Sequence, residues 1–172
     1  MFLDRRFHWL MFLGALALSL ASVYFEFVVG LKPCPLCIMQ RLAMFLLTLF
    51  LLLKLMFANK KVRCGFACAS LFASGFGFFI AVRQVFLQSL PASQVPACGP
   101  SLEMLYKYFP LQDLMHALFY GTGNCAKIDW TLLGMSMAFW SMLVFLGFTT
   151  CLIIEFIQRR QQSLAGRQTK QA

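Results

Sequence analysis

The segment CPLCIMQR, residues 34–41, places two cysteines, separated by two residues, ahead of a long apolar run. Proline is tolerated at the first position of a helix and favours an extended backbone at the residue before it. We therefore expect a helix to begin near Pro35, with Cys34 just outside it and Cys37 in its first turn. The positive end of the helix dipole would favour a thiolate at Cys37. Arg41 follows Cys37 by four residues and so lies on the same helix face, where its positive charge would also favour a thiolate at Cys37.

Two other interpretations of this cysteine pair are half of a zinc site and two structural cysteines. A structural zinc site takes four Cys or His ligands. The sequence has no second CxxC motif and no histidine near residues 34–37. We therefore expect redox chemistry and no metal site.

The composition indicates a membrane protein. Of the 172 residues, 60% are hydrophobic and 12% are charged, whereas a soluble domain is typically about 45–50% apolar and about 25% charged. The formal net charge of +9 comes from basic residues clustered between long apolar runs. Such clusters are typical of membrane topology rather than of a basic stripe that binds phosphates. We therefore expect a lipid bilayer, and no nucleic acid, as a partner.

Four apolar segments are each long enough, at about 20 residues, to cross a bilayer core of about 30 Å. They lie at about residues 7–29, 38–57, 66–87 and 131–157. Because Arg5 and Arg6 precede the first, a cleaved signal peptide is an alternative there, but the apolar run, broken only by Glu26, is longer than the core of such a peptide. Gly75 and Gly77 would allow close packing of the third helix. The sequence thus predicts an all-α membrane protein, a single four-transmembrane-helix bundle spanning residues 1–172.

An even number of spans places both termini on one side of the membrane. Nine lysines and arginines fall on that side and five on or near the other, with Lys54 inside the second span left uncounted. Because cytoplasmic segments are enriched in basic residues, we expect both termini to be cytoplasmic. Residues 30–37 and 90–130 then form periplasmic loops, on the side where disulfides persist. Residues 158–172 are predicted to be a disordered basic tail.

The seven cysteines divide by their position relative to the membrane. Four lie on the predicted outer side: Cys34, Cys37, Cys98 and Cys125. Three connectivities are open to these four; local spacing favours Cys34–Cys37, which leaves Cys98 with Cys125. Cys98 lies in the turn-rich segment PACGP, where it would be accessible to another protein. The others are expected to be ordinary small apolar residues: Cys64, Cys68 and Cys151.

The second periplasmic loop carries apolar residues at helical spacing in two short segments, 102–109 and 111–119, separated by Pro110. Segments this short and apolar are expected to lie along the membrane surface rather than cross it. They would hold the loop cysteines at a high effective concentration near residues 34–37.

Together these features resemble the DsbB family, the bacterial inner-membrane thiol:quinone oxidoreductases that generate disulfides. The resemblance covers nearly the whole chain: four spans, a CxxC motif with Arg41 at the start of the second, and a long second loop with two cysteines. The segment GNCA, residues 123–126, followed by Trp130, also resembles the family's pattern. A CxxC motif alone is a weak signal, but its combination with this topology and with the spacing of Cys98 and Cys125 is specific.

The resemblance implies a multi-pass enzyme of the bacterial inner membrane with its active site facing the periplasm. A reduced DsbA-like oxidase of thioredoxin fold would attack Cys98 in the loop disulfide, and the released Cys125 would pass the electrons to Cys34. Cys37 would then face a membrane quinone, ubiquinone or menaquinone, which leaves as quinol. Arg41 matches the family's quinone-associated arginine, and a cation there would stabilise a reduced quinone oxygen. Inside the bilayer this charge needs a polar ligand or a carbonyl as its partner.

The third span departs from the pattern of some family members, which carry a histidine near its outer end. Residues 81–84 here read AVRQ, so a role for that histidine does not transfer. Arg83 and Gln84 are candidates to line the quinone site in its place. The alternative for Arg83 is that its side chain extends to the membrane interface.

Three other functions are compatible with parts of this pattern. A dedicated paralogue would oxidise a single periplasmic partner by the same chemistry. A membrane scaffold would use the outer disulfides only to brace its loops, and these would resist exchange. A metal-binding protein would bind zinc or copper stoichiometrically through the four outer cysteines. Neither of the last two accounts for Arg41 one turn below Cys37.

Overall fold

The computed structural model describes residues 5–30, 34–91, 93–95, 110–128 and 130–168. Its elements, in chain order, are α1 (Arg5–Phe27), α2 (Pro35–Met56), α3 (Lys60–Ser89), a short α4 (Leu111–Tyr120), a 3₁₀ helix (Gly123–Ala126), strands β1 (Thr131–Leu132) and β2 (Met135–Ser136), and α5 (Met137–Gln168). Four of these are long and apolar enough to cross a membrane: α1, α2, α3 and α5 as far as Gln162. The predicted four-helix membrane bundle is therefore confirmed, and α4 matches the second of the two apolar loop segments.

The start of α2 agrees with the prediction made from Pro35. Cys34 is the N-cap, with an extended backbone, and Pro35 lies in the first turn. The N–H of Cys37 donates a hydrogen bond to the Cys34 sulfur at 3.3 Å. Because the first N–H groups of a helix have no partner within it, this contact satisfies one of them. The cap thus holds both cysteines at the end of the helix.

The starts of two helices differ from the prediction. Helix α3 begins at Lys60 rather than near residue 66, because the side chain of Asn59 accepts a hydrogen bond from the N–H of Lys61 at 3.0 Å. Helix α5 begins at Met137 rather than near residue 131, because β1 and β2 first pair as an antiparallel hairpin. The turn of that hairpin places Leu133 and Gly134 at positive φ, 53° and 78°, which ends any helical continuation.

The prediction of a disordered tail is wrong for residues 158–168, which continue α5. Arginine, glutamine, leucine and alanine in this stretch favour helix. Arg159 also reaches back one turn, with its Nε 2.7 Å from a carboxylate oxygen of Glu155, an i,i+4 pair that supports the helix. Residues 169–172 lie outside the described residues.

The main apolar core lies where α2 contacts α1 and α3, and where α3 contacts α5. Its fully buried members include Ala15, Leu47 and Phe145. A Cβ atom on Gly77 would overlap the Phe145 ring, so the predicted role of Gly77 in close packing is confirmed. A Cβ atom on Gly75 would meet nothing within 4 Å, so the same prediction is wrong for Gly75.

A second, smaller core joins the end of the long loop to the start of α2. Its buried members are Leu36, Ile80, Leu87 and Cys125. Gly121, which follows α4 with φ of 81°, lies so close that a Cβ atom there would be 2.8 Å from Leu36 Cδ1 and 2.9 Å from Leu87 Cδ1. The chain can turn here only without a side chain, and the turn brings the 3₁₀ helix against α2 and α3.

A cluster of ionisable side chains lies at the other end of the bundle. Glu155 of α5 contacts His8 Nε2 of α1 at 3.0 Å, Lys54 Nζ of α2 at 2.6 Å and Arg159 Nε at 2.7 Å. His8, Lys54 and Glu155 are each 1% exposed. This ionic cluster therefore ties three helices together through one carboxylate.

Candidate redox site

Cys34 and Cys37 lie together at the start of α2, with their sulfur atoms 2.7 Å apart. Both side chains are half-buried. The separation is somewhat longer than a disulfide bond, which is about 2.05 Å. The two residues can therefore exchange between dithiol and disulfide with a small movement of the side chains.

Cys125 lies beside this pair, as the family resemblance implied. It is fully buried in the 3₁₀ helix, and its N–H donates a hydrogen bond to the carbonyl oxygen of Thr122 at 2.8 Å. Its sulfur accepts a hydrogen bond from the thiol of Cys34. The Cys34 sulfur thus contacts both of the others, as successive exchange from Cys125 to Cys34 and on to Cys37 requires.

Hydrogen bonding among these sulfurs separates their acidities. The Cys34 thiol lowers the pKa of Cys125 to about 6; burial opposes this, and hydrogen bonds from the backbone of Leu36 and Thr122 assist it. The contact with Cys125, followed by the contact with Cys37 and by burial, raises the pKa of Cys34. In the reduced protein these contacts therefore favour a thiolate on Cys125 and a protonated thiol on Cys34.

Gln84 of α3 lies against the same two sulfurs. Its Nε2 is 3.3 Å from Cys37 Sγ and 3.5 Å from Cys34 Sγ. Its Oε1 accepts a hydrogen bond from Gln40 Nε2 at 2.7 Å. Gln84 and Gln40 are only 4% and 7% exposed, so this pair of amides forms part of the protein interior next to the reacting atoms.

Arg41 lies one turn deeper on α2 and contacts α1. Its guanidinium pairs with the carboxylate of Glu26 and donates a second hydrogen bond to the carbonyl oxygen of Ser22 at 2.8 Å. The expectation that this charge meets a polar ligand or a carbonyl is confirmed by the carbonyl of Ser22, and the Glu26 carboxylate is a further partner. The Arg41 and Glu26 side chains remain 20% and 29% exposed, so the guanidinium is still accessible to a ligand.

The residues of the candidate site open onto a cavity of about 320 Å³ among α1, α2, α3, α5 and residues 124–136. Most of its surface is apolar and includes Phe25, Trp130 and Trp140. Its polar lining includes Glu26, Cys34, Cys37, Gln40, Arg41 and Gln84. The cavity therefore combines a dithiol, a cation and amide donors with apolar walls, which suits a flat ligand with polar oxygens.

Of the described residues predicted for the site, Arg83 is not brought to it. Arg83 is not among the residues that line the cavity, and its guanidinium carbon lies 5.8 Å from the centre of the Phe86 ring. Cys98 lies outside the described residues. Cys64 and Cys68 are exposed on α3, and Cys151 is half-buried in α5. Within the described residues, no three side chains of His, Cys, Asp or Glu are grouped to hold a metal ion.

Two participants were not predicted from the sequence. Gln40 follows Cys37 by three residues and so shares its helix face, a signal that was available. Glu26 is the lone charge in the first span, and its position eight residues before Cys34 does not indicate that it faces Arg41. Its pairing depends on how α1 is rotated against α2.

The chain is similar to known proteins over most of its length. The family model described as disulfide bond formation protein DsbB matches residues 4–154. A disulfide bond formation protein B from Stutzerimonas stutzeri (strain A1501) is 40% identical over 150 residues, which cover 86% of this chain and 91% of the relative. The protein of that name from Methylococcus capsulatus is 43% identical over 138 residues, 79% of this chain and 84% of the relative. The protein of that name from Polaromonas naphthalenivorans is 40% identical over 159 residues, which cover 91% of this chain and 95% of the relative.

Proposed function

Since the chain belongs to the DsbB family of disulfide bond formation proteins, we propose that it reoxidises a periplasmic DsbA-like dithiol oxidase and passes the electrons to a membrane quinone. The observation that carries this proposal is the row of sulfurs Cys125, Cys34 and Cys37, which ends at the cavity containing Arg41. A bracing disulfide needs two sulfurs, whereas three in contact provide a path for exchange.

The exchange begins in the long loop. A thiolate of the reduced partner attacks Cys98 of a Cys98–Cys125 disulfide, a bond forms between the partner and Cys98, and Cys125 leaves as a thiolate. Hydrogen bonds from the backbone of Leu36 and Thr122 stabilise that thiolate, and a stabilised thiolate leaves faster. The role of Cys98 rests on the family pattern, because this residue lies outside the described residues.

Cys125 then attacks Cys34, the sulfur it contacts. The Cys125–Cys34 bond forms as the Cys34–Cys37 bond breaks, and the electron pair goes to Cys37, so no proton moves in this step. The partner's second thiolate forms the partner's disulfide and releases Cys98. Cys98 in turn attacks Cys125 and displaces Cys34. The loop disulfide is restored, and the two electrons now belong to the dithiol of Cys34 and Cys37.

The cavity beside Cys37 fits a quinone head group in size and chemistry. Small-ligand sites typically enclose about 300–1,000 Å³, and this cavity of about 320 Å³ has apolar walls with Arg41 and Gln84 as donors to an oxygen. These two residues would hold the quinone. When bound, the quinone supplies the electron acceptor: it takes two electrons and two protons and leaves as quinol.

The distribution of charge supports the proposed orientation in the bacterial inner membrane. Lys60, Lys61 and Arg63 lie in the first turn of α3, and Arg159 and Arg160 lie late in α5, all at the end of the bundle away from Cys34. Basic residues favour the cytoplasmic side. The cysteine end, with Trp130 and Trp140 beside the cavity, then faces the periplasm.

Anaerobic mixing tests the proposal. The purified full-length protein in detergent is combined with a reduced DsbA-like partner and with ubiquinone or menaquinone, and quinol is followed by absorbance. We expect one quinol for each partner disulfide formed. Loss of partner thiols without quinol would contradict the quinone step, and no loss of partner thiols with either quinone would favour a bracing role for the cysteines.

A further inference from the structure

We infer that Gln84 is a catalytic residue that donates a hydrogen bond to Cys37 as this sulfur leaves the disulfide, and that Gln40 is the positioning residue that fixes the orientation of the Gln84 amide. This inference rests on the proposed function, because it assigns a role within the second exchange step. The contacts are the Gln84 Nε2 to Cys37 Sγ distance of 3.3 Å and the Gln40 Nε2 to Gln84 Oε1 distance of 2.7 Å.

The orientation of the Gln84 amide follows from its partner. A glutamine side chain has one acceptor and one donor group, and the two are interchanged by a half-turn of the amide. Gln40 donates to Gln84 Oε1, which turns the Nε2 group of Gln84 toward the sulfurs. Nε2 is 3.3 Å from Cys37 Sγ, whereas Oε1, which can accept from the Cys37 thiol, is farther away at 3.7 Å. Without Gln40 the amide can turn and present its oxygen, and an oxygen repels a thiolate.

The location of the developing negative charge explains why Gln84 stabilises Cys37 rather than Cys34. When Cys125 attacks Cys34, the Cys34–Cys37 bond breaks and the negative charge develops on Cys37. Of the two sulfurs near Gln84 Nε2, Cys37 is the closer, at 3.3 Å against 3.5 Å for Cys34. Gln84 is 4% exposed, so water supplies little stabilisation there, and a preorganised donor is most effective where water is excluded.

The test measures the reactivity of Cys37 in the reduced full-length protein, without partner or quinone. Each cysteine is alkylated with a brief pulse of isotope-coded iodoacetamide at several pH values, and the rates are read by mass spectrometry. In Gln84→Met, which keeps the length of the side chain but removes the donor, we expect the Cys37 rate at pH 7 to fall about three- to tenfold. Its pH profile should move to higher pH, while Cys151 serves as the internal reference.

Gln88 provides the matched control. It lies one turn further along α3 and lines the same cavity, but its Oε1 accepts a hydrogen bond from Ser136 Oγ at 2.6 Å. Gln88→Met should leave the pH profile of Cys37 unchanged. If Gln84→Met lowers the thermal midpoint of unfolding but leaves the Cys37 profile unchanged, or if both variants shift it equally, the catalytic assignment of Gln84 is wrong.

A double-variant cycle tests the role of Gln40. Gln40→Met should slow Cys37 alkylation by about two- to fivefold in the otherwise unchanged protein, but should have no further effect when combined with Gln84→Met. Additive effects would show that Gln40 does not act through Gln84. None of these measurements involves quinone. The role of Gln84 can therefore be disproved while quinol is still produced, and it can be supported even where no quinol is produced.

Discussion

The Nζ atom of Lys54 lies 2.6 Å from Oε2 of Glu155, and each of the two side chains is 1% exposed. The pair joins α2 to α5 at the end of the bundle away from the cysteines, and His8 and Arg159 contact the same carboxylate. Removing one partner of a buried ion pair leaves an uncompensated charge, which typically costs about 3–5 kcal/mol. The ionic cluster therefore fixes the positions of α1, α2 and α5 relative to one another at this end of the bundle.

Glu155→Gln should lower the thermal midpoint of unfolding in detergent more than Lys54→Met does. The first substitution leaves three basic side chains without their carboxylate, whereas the second leaves Glu155 with His8 and Arg159. Lys61→Gln is the control, because Lys61 is exposed at the start of α3 and should change the midpoint little. Equal effects of the two core substitutions would contradict the central role of Glu155.

Arg41→Ala should raise the apparent KM for quinone by about tenfold while leaving thiol exchange with the partner largely intact. Arg41→Lys should also be impaired, because an ammonium cannot reproduce the planar set of donors that contacts both Glu26 and Ser22. Arg83→Ala is the matched control and should leave this KM unchanged, since Arg83 does not line the cavity. Steady-state rates measured against quinone concentration test this prediction. Unchanged kinetics in both Arg41 variants would show that Arg41 is a structural anchor.

The pKa of Cys125, about 6, predicts how the reduced protein titrates. Because the pKa is lowered, the thiolate is present above pH 6 and is lost as the pH falls through that value. A step in thiolate absorbance near 240 nm, centred near pH 6, should therefore be present in the native protein and missing in Cys125→Ser. A step that survives this substitution unchanged would belong to another cysteine.

Labelling of single cysteines tests the orientation in the membrane. A membrane-impermeant maleimide applied to reduced, intact spheroplasts should label Cys98 and leave Cys64 unlabelled. Cys64 is exposed on α3, so it should become labelled once the membrane is permeabilised, which provides the positive control. Labelling of Cys64 in intact spheroplasts would reverse the orientation.

A trapped complex tests Cys98 as the first contact of the partner. A DsbA-like protein that lacks its own resolving cysteine cannot complete the exchange, so it should remain covalently attached to the otherwise intact chain. The complex should be lost in Cys98→Ser and should be visible on a non-reducing gel otherwise. If it persists without Cys98, another cysteine is attacked first.

The local features of the site could be predicted from the sequence because they depend on neighbouring residues. Pro35 set the start of α2, and a spacing of three or four residues placed Cys37 and Arg41 on one face. The contacts between helices could not be predicted in this way. Glu26 meets Arg41, and Gln40 meets Gln84, only because of the rotation of each helix about its axis, and that rotation is decided by packing across the whole bundle.

The hairpin shows a different limit of sequence patterns. The apolar side chains of residues 131–136 predict that this stretch belongs to the fourth span, but the positive φ of Leu133 and Gly134 interrupts the helix there. Trp140 Nε1 donates a hydrogen bond to the carbonyl oxygen of Leu132 at 3.2 Å, which holds the hairpin against α5. A hydropathy pattern records how apolar a stretch is but not which backbone conformation its turn adopts.

The complete burial of Cys125 limits which reductants can reach its sulfur. A sulfur enclosed by Leu36, Ile80 and Leu87 is shielded from the small soluble thiols that would otherwise consume disulfides without making one in a substrate. In the proposed exchange, a small thiol would therefore not attack the Cys125 sulfur directly, and reduction of the loop disulfide would have to begin at Cys98. Enclosure of one sulfur would thus give the disulfide a single point of entry for electrons.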